Sequence, residues 1–377
     1  MTSRTRLFLT HDLYDLPGTD ALFLEAMRES VTYHTARCPE FCRLLKHRDF
    51  TVSMLRTISD LEKIPVLPTL FLKSHNLFSV PQERLLFKAT SSGTKGRLST
   101  VGLDFSTAWL SLPMVLKTFS FHGLLSLNPT NYIILGYEPA KRNRMGAAQT
   151  AFGLTFLAPA AHRAYALRDT GEAYKVDLTG LIDALKRYAH RGLPVRFYGF
   201  PAYLLFLLDA LEERNLSFQL HPQSMVMTGG GWKQFFFQKA DRNELYQRAA
   251  RILGIPEENC HDFYGAVEHP IPYCDCSNHH FHIPKYSRVL IRDVRTLAPL
   301  PFGQPGLINL ITPLMRGMPL LSVMTDDLAV LHPGARCGCG IASPWFEILG
   351  RVGLKNVKTC AAVTPEMAQS FTEGGFF

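Results

Sequence analysis

The alternation of strand-like and helix-like segments between residues 132 and 264 constrains the fold most. Tyr132–Gly136 is a short apolar run that ends in glycine, a pattern typical of a buried strand. Val195–Phe200, Ser224–Gly229 and Cys260–Tyr264 have the same character. Helical patterns separate these runs, and such alternation predicts a parallel sheet covered by helices.

The intervening helices have recognisable starts and stops. Asp177 is a suitable N-cap for a helix whose Leu178, Leu181 and Leu185 share one face. Pro201 opens a second helix, because proline is tolerated in the first turn. Residues 233–253 are predicted to form a third, which ends at Gly254.

The two ends of the chain differ from this middle region. Residues 1–85 carry apolar side chains at helical spacing, whereas residues 286–331 contain strand-like runs separated by Pro/Gly turns. We therefore expect a largely helical N-terminal region and a small antiparallel β-subdomain. The predicted divisions are a helical region 1–85, an α/β nucleotide-binding core 86–285, a β-subdomain 286–349, and a hinge and tail 350–377.

Composition narrows the class of protein. The chain has 377 residues and is 46% hydrophobic, enough to bury a large core. No apolar run approaches the ~18–20 residues that span a bilayer, and no signal peptide is recognisable, so we expect a cytoplasmic protein without a membrane span. The net charge of +8 is spread along the chain without a nucleic-acid recognition motif. It suits ATP, coenzyme A or an acidic carrier protein equally well.

A glycine-rich loop, Ser91-Ser92-Gly93-Thr94-Lys95-Gly96, follows the strand-like run Leu85–Lys88. Glycines allow backbone N–H groups to approach an anion, and hydroxyls and a lysine add donors and charge. The spacing is not that of a Walker loop. Alone, the segment fits a phosphate-binding loop or a polar turn.

Three later segments help to interpret the loop. They are Tyr264–Glu268 (Tyr-Gly-Ala-Val-Glu), Thr325–Asp327 (Thr-Asp-Asp) and Gly350-Arg351. With the loop, in this order, they resemble the core motifs of the adenylate-forming superfamily. Gly229–Lys233, Phe346–Arg351 and a downstream cysteine are similar to the LuxE-type acyl-protein synthetases. The resemblance extends from about residue 60 to 360, and phenylacetate-CoA ligase-like proteins are the next nearest relatives.

The resemblance implies an α/β fold, the large N-terminal domain of an adenylate-forming enzyme with helix-covered sheets and a small β-subdomain. It also implies ATP and Mg²⁺ as cofactors. Tyr264 would pack on the adenine, Glu268 would help to bind Mg²⁺, and Asp327 would accept hydrogen bonds from the ribose. Arg351 would lie at the hinge near the nucleotide. The nucleotide-binding set is completed by Ser91, Ser92, Gly93, Thr94, Lys95, Gly96, Gly230 and Gly265.

The C-terminal end departs from most of the superfamily. Only 26 residues follow Arg351, too few for the usual lid domain with its catalytic lysine. We therefore expect no lid, with Lys233 or Lys95, or a partner subunit, as the source of the missing cation. In the LuxE-type family a cysteine near the C-terminus accepts the acyl group, and Cys360 occupies the matching place. Coenzyme A or a carrier phosphopantetheine is the alternative acceptor.

Two close cysteine pairs suggest a metal site: Cys274 with Cys276, and Cys337 with Cys339. Thiolates from two turns match the tetrahedral preference of zinc. Some phenylacetate-CoA ligase-like proteins use a cysteine, a histidine and a later cysteine pair, so His282 competes for one position. We predict a structural Zn²⁺, with free buried thiols as the alternative.

These observations lead to a first hypothesis and two alternatives. In the first, a fatty or aryl/polyketide acid reacts with ATP to give acyl-AMP, and the acyl group then passes to a thiol. A carrier protein or a reductase would be the partner. The alternatives are an acyltransferase that uses a preformed thioester, and a non-catalytic scaffold that binds a carrier protein.

Overall fold

The computed structural model describes residues 1–10, 12–75, 77–90, 100–140, 146–232 and 240–352. The chain forms two compact units. The first contains Met1–Lys117 and the described residues from Ala266 onward, and the second contains Thr118–Gly265. This division differs from the four predicted regions, because the N-terminal region and the β-subdomain belong to the same unit.

The helices of the described ranges have the following bounds: α1 Ser3–Leu9, α2 Leu16–Arg37, α3 Pro39–His47, α4 Thr69–Leu72, α5 Phe105–Phe121, α6 Gly146–Leu154, α7 Leu178–His190, α8 Pro201–Glu213 and α9 Arg242–Leu253. Short 3₁₀ turns lie at Val52–Met54, Ile58–Lys63, Gln82–Arg84, Glu257–Asn259 and Gly334–Arg336.

The strands have the following bounds: β1 Leu67–Pro68, β2 Leu85–Thr90, β3 Thr100–Asp104, β4 Thr130–Tyr137, β5 Ala160–Asp169, β6 Tyr174–Val176, β7 Val195–Gly199, β8 Met225–Gly229, β9 Cys260–Ala266, β10 His269–Cys274, β11 Phe281–His282, β12 Arg288–Arg292, β13 Pro305–Ile311, β14 Ser322–His332 and β15 Trp345–Arg351.

The second unit is built on the predicted parallel sheet. Its strands lie in the order β9-β8-β7-β4-β5-β6, and each adjacent pair is parallel except β5 and β6. Strand β7 is buried along its whole length, as expected for a central strand of a covered parallel sheet. Helices α7, α8 and α9 contribute to its hydrophobic core, including Leu185, Leu208 and Leu253.

The helix boundaries in this unit largely follow their local signals. The Asp177 carboxylate accepts a hydrogen bond from the Gly180 N–H at 2.8 Å, which confirms the predicted cap of α7. Gly254 ends α9 with a φ of 68°, a left-handed conformation that glycine adopts without strain. Helix α9 begins at Arg242, where the Asp241 side chain caps its first N–H groups. Residues 233–239 of the predicted helix lie outside the described ranges.

The first unit contains the predicted antiparallel sheet. Its strands lie in the order β11-β15-β14-β13-β12, with β1 added parallel to β14. The N-terminal helical prediction is confirmed only partially. The helical spacing predicted over Tyr14–Leu45 is interrupted at Cys38-Pro39, and Val52–Leu61, also predicted as helical, forms only short 3₁₀ turns. Strands β2 and β3 flank residues 91–99 and pair antiparallel, with Thr90 opposite Thr100.

Candidate functional site

One end of the paired segment of strands β14 and β15 brings together two of the predicted nucleotide residues. These strands are antiparallel neighbours, and Asp327 lies directly opposite Arg351. The Arg351 guanidinium approaches the Asp326 carboxylate at 3.7 Å and the Asp327 carboxylate at 3.8 Å. All three side chains are partly exposed. The result is a loose, solvent-accessible pairing of two carboxylates with one cation.

Local hydrogen bonds orient the Asp327 side chain. The Thr325 hydroxyl donates to the Asp327 carboxylate at 2.9 Å and accepts from the Asp327 N–H at 3.2 Å. The register also shifts between Leu328 and Ala329, leaving an additional residue on β15. Bulges of this kind redirect side chains and are frequent beside active sites. The Thr-Asp-Asp segment of β14 is therefore held in a defined geometry beside the end of β15.

The Tyr264–Glu268 segment lies where β9 ends. Tyr264 and Gly265 are in the strand, and Glu268 lies in the turn that precedes β10. The Glu268 side chain is buried, with 4% exposure. Buried carboxylates require paired or metal-ligating surroundings, so this turn is a specialised position for an acidic residue.

The glycines after β8 adopt left-handed backbone conformations. Gly230 has a φ of 75° and Gly231 a φ of 70°. Side chains are strained in this region, so the segment after β8 requires glycine. The backbone of this segment therefore has a conformation that residues with side chains rarely adopt.

Several predicted residues lie outside the described ranges of the chain. They are Ser91, Ser92, Gly93, Thr94, Lys95 and Gly96 of the loop, Lys233, and Cys360.

The first unit also contains a compact group of metal-binding side chains. The ligand atoms of Cys276, His282, Cys337 and Cys339 all lie within 4.8 Å of one another. Cys276 Sγ is 3.5 Å from Cys337 Sγ, and Cys339 Sγ is 3.3 Å from His282 Nε2. Two ligands bound at ~2.3 Å in a tetrahedron are separated by ~3.7 Å. The group therefore has the donor chemistry and nearly the spacing that a Cys₃His zinc site needs.

A backbone carbonyl sets the orientation of the histidine in this group. His282 Nδ1 donates to the Ser343 carbonyl at 2.7 Å, because a carbonyl can only accept. The unprotonated Nε2 then faces Cys339, which is the tautomer that a metal ligand requires. Such outer contacts commonly fix the ring orientation of histidine ligands.

Cys274 does not belong to this group of four. It ends β10, whereas Cys276 lies beyond the strand, so the rule that alternate strand residues share a face does not apply to this pair. The predicted five candidates are thus reduced to four, with His282 in place of Cys274.

Two histidines stack on a tryptophan that packs beside the cysteines. The His280 ring stacks on Trp345 with centroids 3.6 Å apart, and the His332 ring stacks on the same indole at 4.1 Å. His280 Nδ1 is also 3.2 Å from Cys337 Sγ. Sequence analysis did not single out Trp345 or His332. Their role depends on strand pairing, since His332 lies opposite Trp345 in the β14–β15 register.

Burial controls the protonation of these thiols. Burial raises the pKa of Cys276 to about 12, and it also raises the pKa of Cys337. The apo thiols would therefore be protonated at neutral pH. Metal binding would have to displace these protons, which makes the affinity depend on pH.

Comparison with solved structures shows which fold the chain has. The chain is similar to 2-hydroxyisobutyryl-CoA ligase in an open conformation with 2-HIB-AMP and CoA, with a TM-score of 0.66 at 15% identity, covering 89% of this chain and 75% of that chain. A postadenylation-state structure of that ligase gives a TM-score of 0.67, covering 91% and 70%. The fold is the α/β fold of the adenylate-forming ligases.

Sequence comparison identifies the family. The chain belongs to the acyl-protein synthetase (LuxE) family, whose model matches residues 18–372. The Vibrio harveyi long-chain-fatty-acid–luciferin-component ligase is 26% identical over 318 residues, which is 84% of this chain and 80% of that protein. The Aliivibrio fischeri protein of the same name is 23% identical over 344 residues, covering 89% and 85%.

The family assignment confirms the prediction of a ligase of the acyl-protein synthetase type. Within the described ranges, no helix is both long and apolar enough to cross a membrane.

Proposed function

We propose that this protein uses MgATP to convert a long-chain fatty acid to acyl-AMP and then transfers the acyl group to a thiol. The orientation of Asp327 by Thr325, opposite Arg351, is the structural observation that supports this reaction most directly. The names of the two bacterial relatives support a long-chain fatty acid as the substrate.

Each residue has a defined task in this proposal. Asp327 accepts hydrogen bonds from the ribose hydroxyls, Tyr264 packs on the adenine, and Glu268 helps to bind Mg²⁺. The fatty-acid carboxylate oxygen attacks the α-phosphorus, the α–β phosphoanhydride bond breaks, and pyrophosphate leaves. When bound, Mg²⁺ would neutralise phosphate charge. Lys95 and the other residues of the 91–96 loop bind the phosphates, and Lys233 is a second candidate cation.

Arg351 has a positional role in the proposed reaction. At the last position of β15, its guanidinium is shared by Asp326 and Asp327 at distances longer than a direct hydrogen bond. These exposed contacts contribute little stability and can be exchanged for contacts with the nucleotide at small cost. Gly230 and Gly265 would allow the backbone to approach the nucleotide closely.

The proposed acyl acceptor is Cys360. Attack of its thiolate on acyl-AMP breaks the bond between the acyl carbon and the phosphate oxygen, releases AMP and forms a thioester. Coenzyme A or a carrier-protein thiol is the alternative acceptor. A carrier or reductase partner would then receive the acyl group.

Pyrophosphate release tests the adenylation step. Fatty acids of graded chain length, with MgATP, should release pyrophosphate, with the highest kcat/KM for long chains. If a broad panel of acids releases none while a preformed acyl thioester transfers its acyl group, the acyltransferase alternative is favoured instead.

Retention of a labelled acyl group tests the acceptor. A radiolabelled fatty acid should remain on the denatured protein and be released by hydroxylamine. Cys360→Ser should abolish retention without abolishing pyrophosphate release, and Cys42→Ser is the matched control that should retain the label. Unchanged labelling of the Cys360→Ser protein would exclude this acceptor.

We also propose that Cys276, His282, Cys337 and Cys339 hold a structural Zn²⁺. Four protein ligands complete a tetrahedral shell, which is typical of a structural site. When bound, the ion would cross-link the segment after β10 to the turn before β15. The expected metal content is about one Zn²⁺ per chain by elemental analysis.

A further inference from the structure

A pocket of about 450 Å³ in the first unit is separate from the residues assigned above. Helix α2 contributes Tyr33 and Arg37 to its wall, and the segment before β2 contributes Phe78, Pro81 and Arg84. The volume falls in the range of small-molecule sites. Its lining combines an apolar surface with two exposed guanidinium groups.

A third guanidinium lies beside this pocket. Arg316 lies over the Tyr33 ring with its Cζ 3.5 Å from the centroid, and Arg37 lies over the same ring at 4.3 Å. The ring attracts each cation, but the two cations repel each other. Burial and the charge of Arg37 both lower the pKa of Arg316.

The nearby carboxylates that the structure describes have other hydrogen-bond partners. Within the described ranges, no carboxylate forms an ion pair with Arg37, Arg84 or Arg316. Glu29 and Asp104 act on Arg316 from a distance, but both accept other hydrogen bonds. Glu29 accepts from the backbone of α1, and Asp104 accepts from Ser106 and Thr107 in α5. The cationic donors therefore remain available to a ligand.

A serine and a histidine beside the pocket resemble a catalytic pair, but their chemistry argues against that role. His34 Nε2 donates to the Met315 carbonyl at 3.1 Å, so its Nδ1 accepts from the Ser79 hydroxyl at 2.7 Å. Burial, with the charges of Arg316 and other nearby arginines, lowers the pKa of His34 to about 3. Such an imidazole is a weak base at neutral pH. Binding an anion is the better use of this pocket.

We propose that this pocket binds a small organic phosphate monoester. The phosphate would lie on Arg37 and Arg84, and an apolar or aromatic group would lie on Phe78 and Pro81. A phosphate dianion offers three strong acceptor oxygens, which match planar guanidinium donors better than a single carboxylate does. Arg316 adds positive potential behind Tyr33. This site is independent of the proposed adenylation reaction.

Titration calorimetry with phenyl phosphate tests the proposal. The wild-type protein should bind it saturably, and the affinity should fall as ionic strength rises. The double variant Arg37→Ala/Arg84→Ala should bind at least about 10-fold more weakly, since it removes both charged donors. Arg43→Ala is the matched control, because Arg43 is an exposed arginine in the next helix that pairs with Glu40. It should bind as tightly as wild type.

Three results would overturn the assignment. One is the absence of saturable binding by the wild-type protein. Another is equal affinity in the wild type and the double variant, which would place the phosphate elsewhere, including at the nucleotide loop. The third is arginine-dependent binding of an acidic peptide such as hexaglutamate when phenyl phosphate does not bind. An unchanged melting temperature of the double variant, expected for two exposed positions, would show that weaker binding is not unfolding.

Discussion

Strands β14 and β15 carry two different kinds of site at the two ends of the segment over which they pair. At one end His332 lies opposite Trp345, beside the buried cysteines, and at the other Asp327 lies opposite Arg351 in partial contact with solvent. Among the metal-binding side chains, two pairs of ligand atoms are 3.3 and 3.5 Å apart and all lie within 4.8 Å, whereas the ion pairs are 3.7–3.8 Å long. Burial favours a fixed structural centre, and exposure leaves charged groups able to exchange partners.

Loss of a metal ligand should have the largest effect. Cys337→Ser should remove the metal and lower the free energy of unfolding by about 5 kcal/mol or more, because structural zinc binding contributes directly to folding. Elemental analysis and denaturant unfolding measure these effects. Cys274→Ser is the matched control and should retain both metal and most of the stability. Equal metal loss in both variants would contradict the four-residue assignment.

At the exposed end, Asp327→Asn should affect activity rather than folding. Loss of a charged acceptor for the ribose should lower kcat/KM for ATP by about 10- to 100-fold. Steady-state pyrophosphate release gives this ratio, and the melting temperature should change little. If Asp327→Asn instead caused a large loss of stability with normal activity, Asp327 would have a structural role, which contradicts the proposed nucleotide-binding role.

Acidification tests how strongly burial opposes protonation of a histidine side chain. His269 is fully buried against Tyr273 and Ser287, and burial lowers its pKa from 6.5 to about 3. Between pH 6.5 and pH 3 this histidine is therefore protonated in the unfolded chain but neutral in the folded protein. The contribution of the neutral imidazole to the free energy of unfolding is complete above pH 6.5 and is lost as the pH falls towards 3. The expected loss from this group at pH 5 is about 2 kcal/mol.

Urea unfolding between pH 7 and 5 measures that loss. His269→Gln should make the pH profile flatter, whereas substitution of the exposed His47 by glutamine should leave it unchanged. An identical profile for wild type and His269→Gln would show that His269 does not contribute to the acid sensitivity. His34 should contribute in the same direction, since its pKa is also lowered to about 3.

The smallest effect is expected for Asp326→Asn. Its contact with Arg351 is long and partly exposed, so its removal should change the free energy of unfolding by less than about 1 kcal/mol. Because Asp327 keeps its Thr325 hydrogen bond, ATP kinetics should change less than in Asp327→Asn. If Asp326→Asn and Asp327→Asn changed the ATP kinetics equally, the position of the Arg351 side chain, rather than hydrogen bonding to Asp327, would control activity.

The fold followed from the sequence wherever short-range signals agreed. Asp177 capped α7 and Gly254 ended α9 because caps depend on a few neighbouring residues. At the other end of α9 the Asp241 side chain caps the first turn, a local signal that the sequence analysis did not use. The break at Cys38-Pro39 was not predicted, because helical periodicity alone does not locate the boundaries of a helix.

The amino-acid sequence by itself determined the family and the order of the nucleotide motifs, since these reside in short contiguous segments. Only the tertiary structure decided that Cys276 and His282, rather than Cys274, join the later cysteine pair. The tertiary structure also decided that His280 and His332 both stack on Trp345. It placed the Arg351 guanidinium near the carboxylates of both Asp326 and Asp327. The physical reason is strand register, which brings together side chains that are distant along the chain.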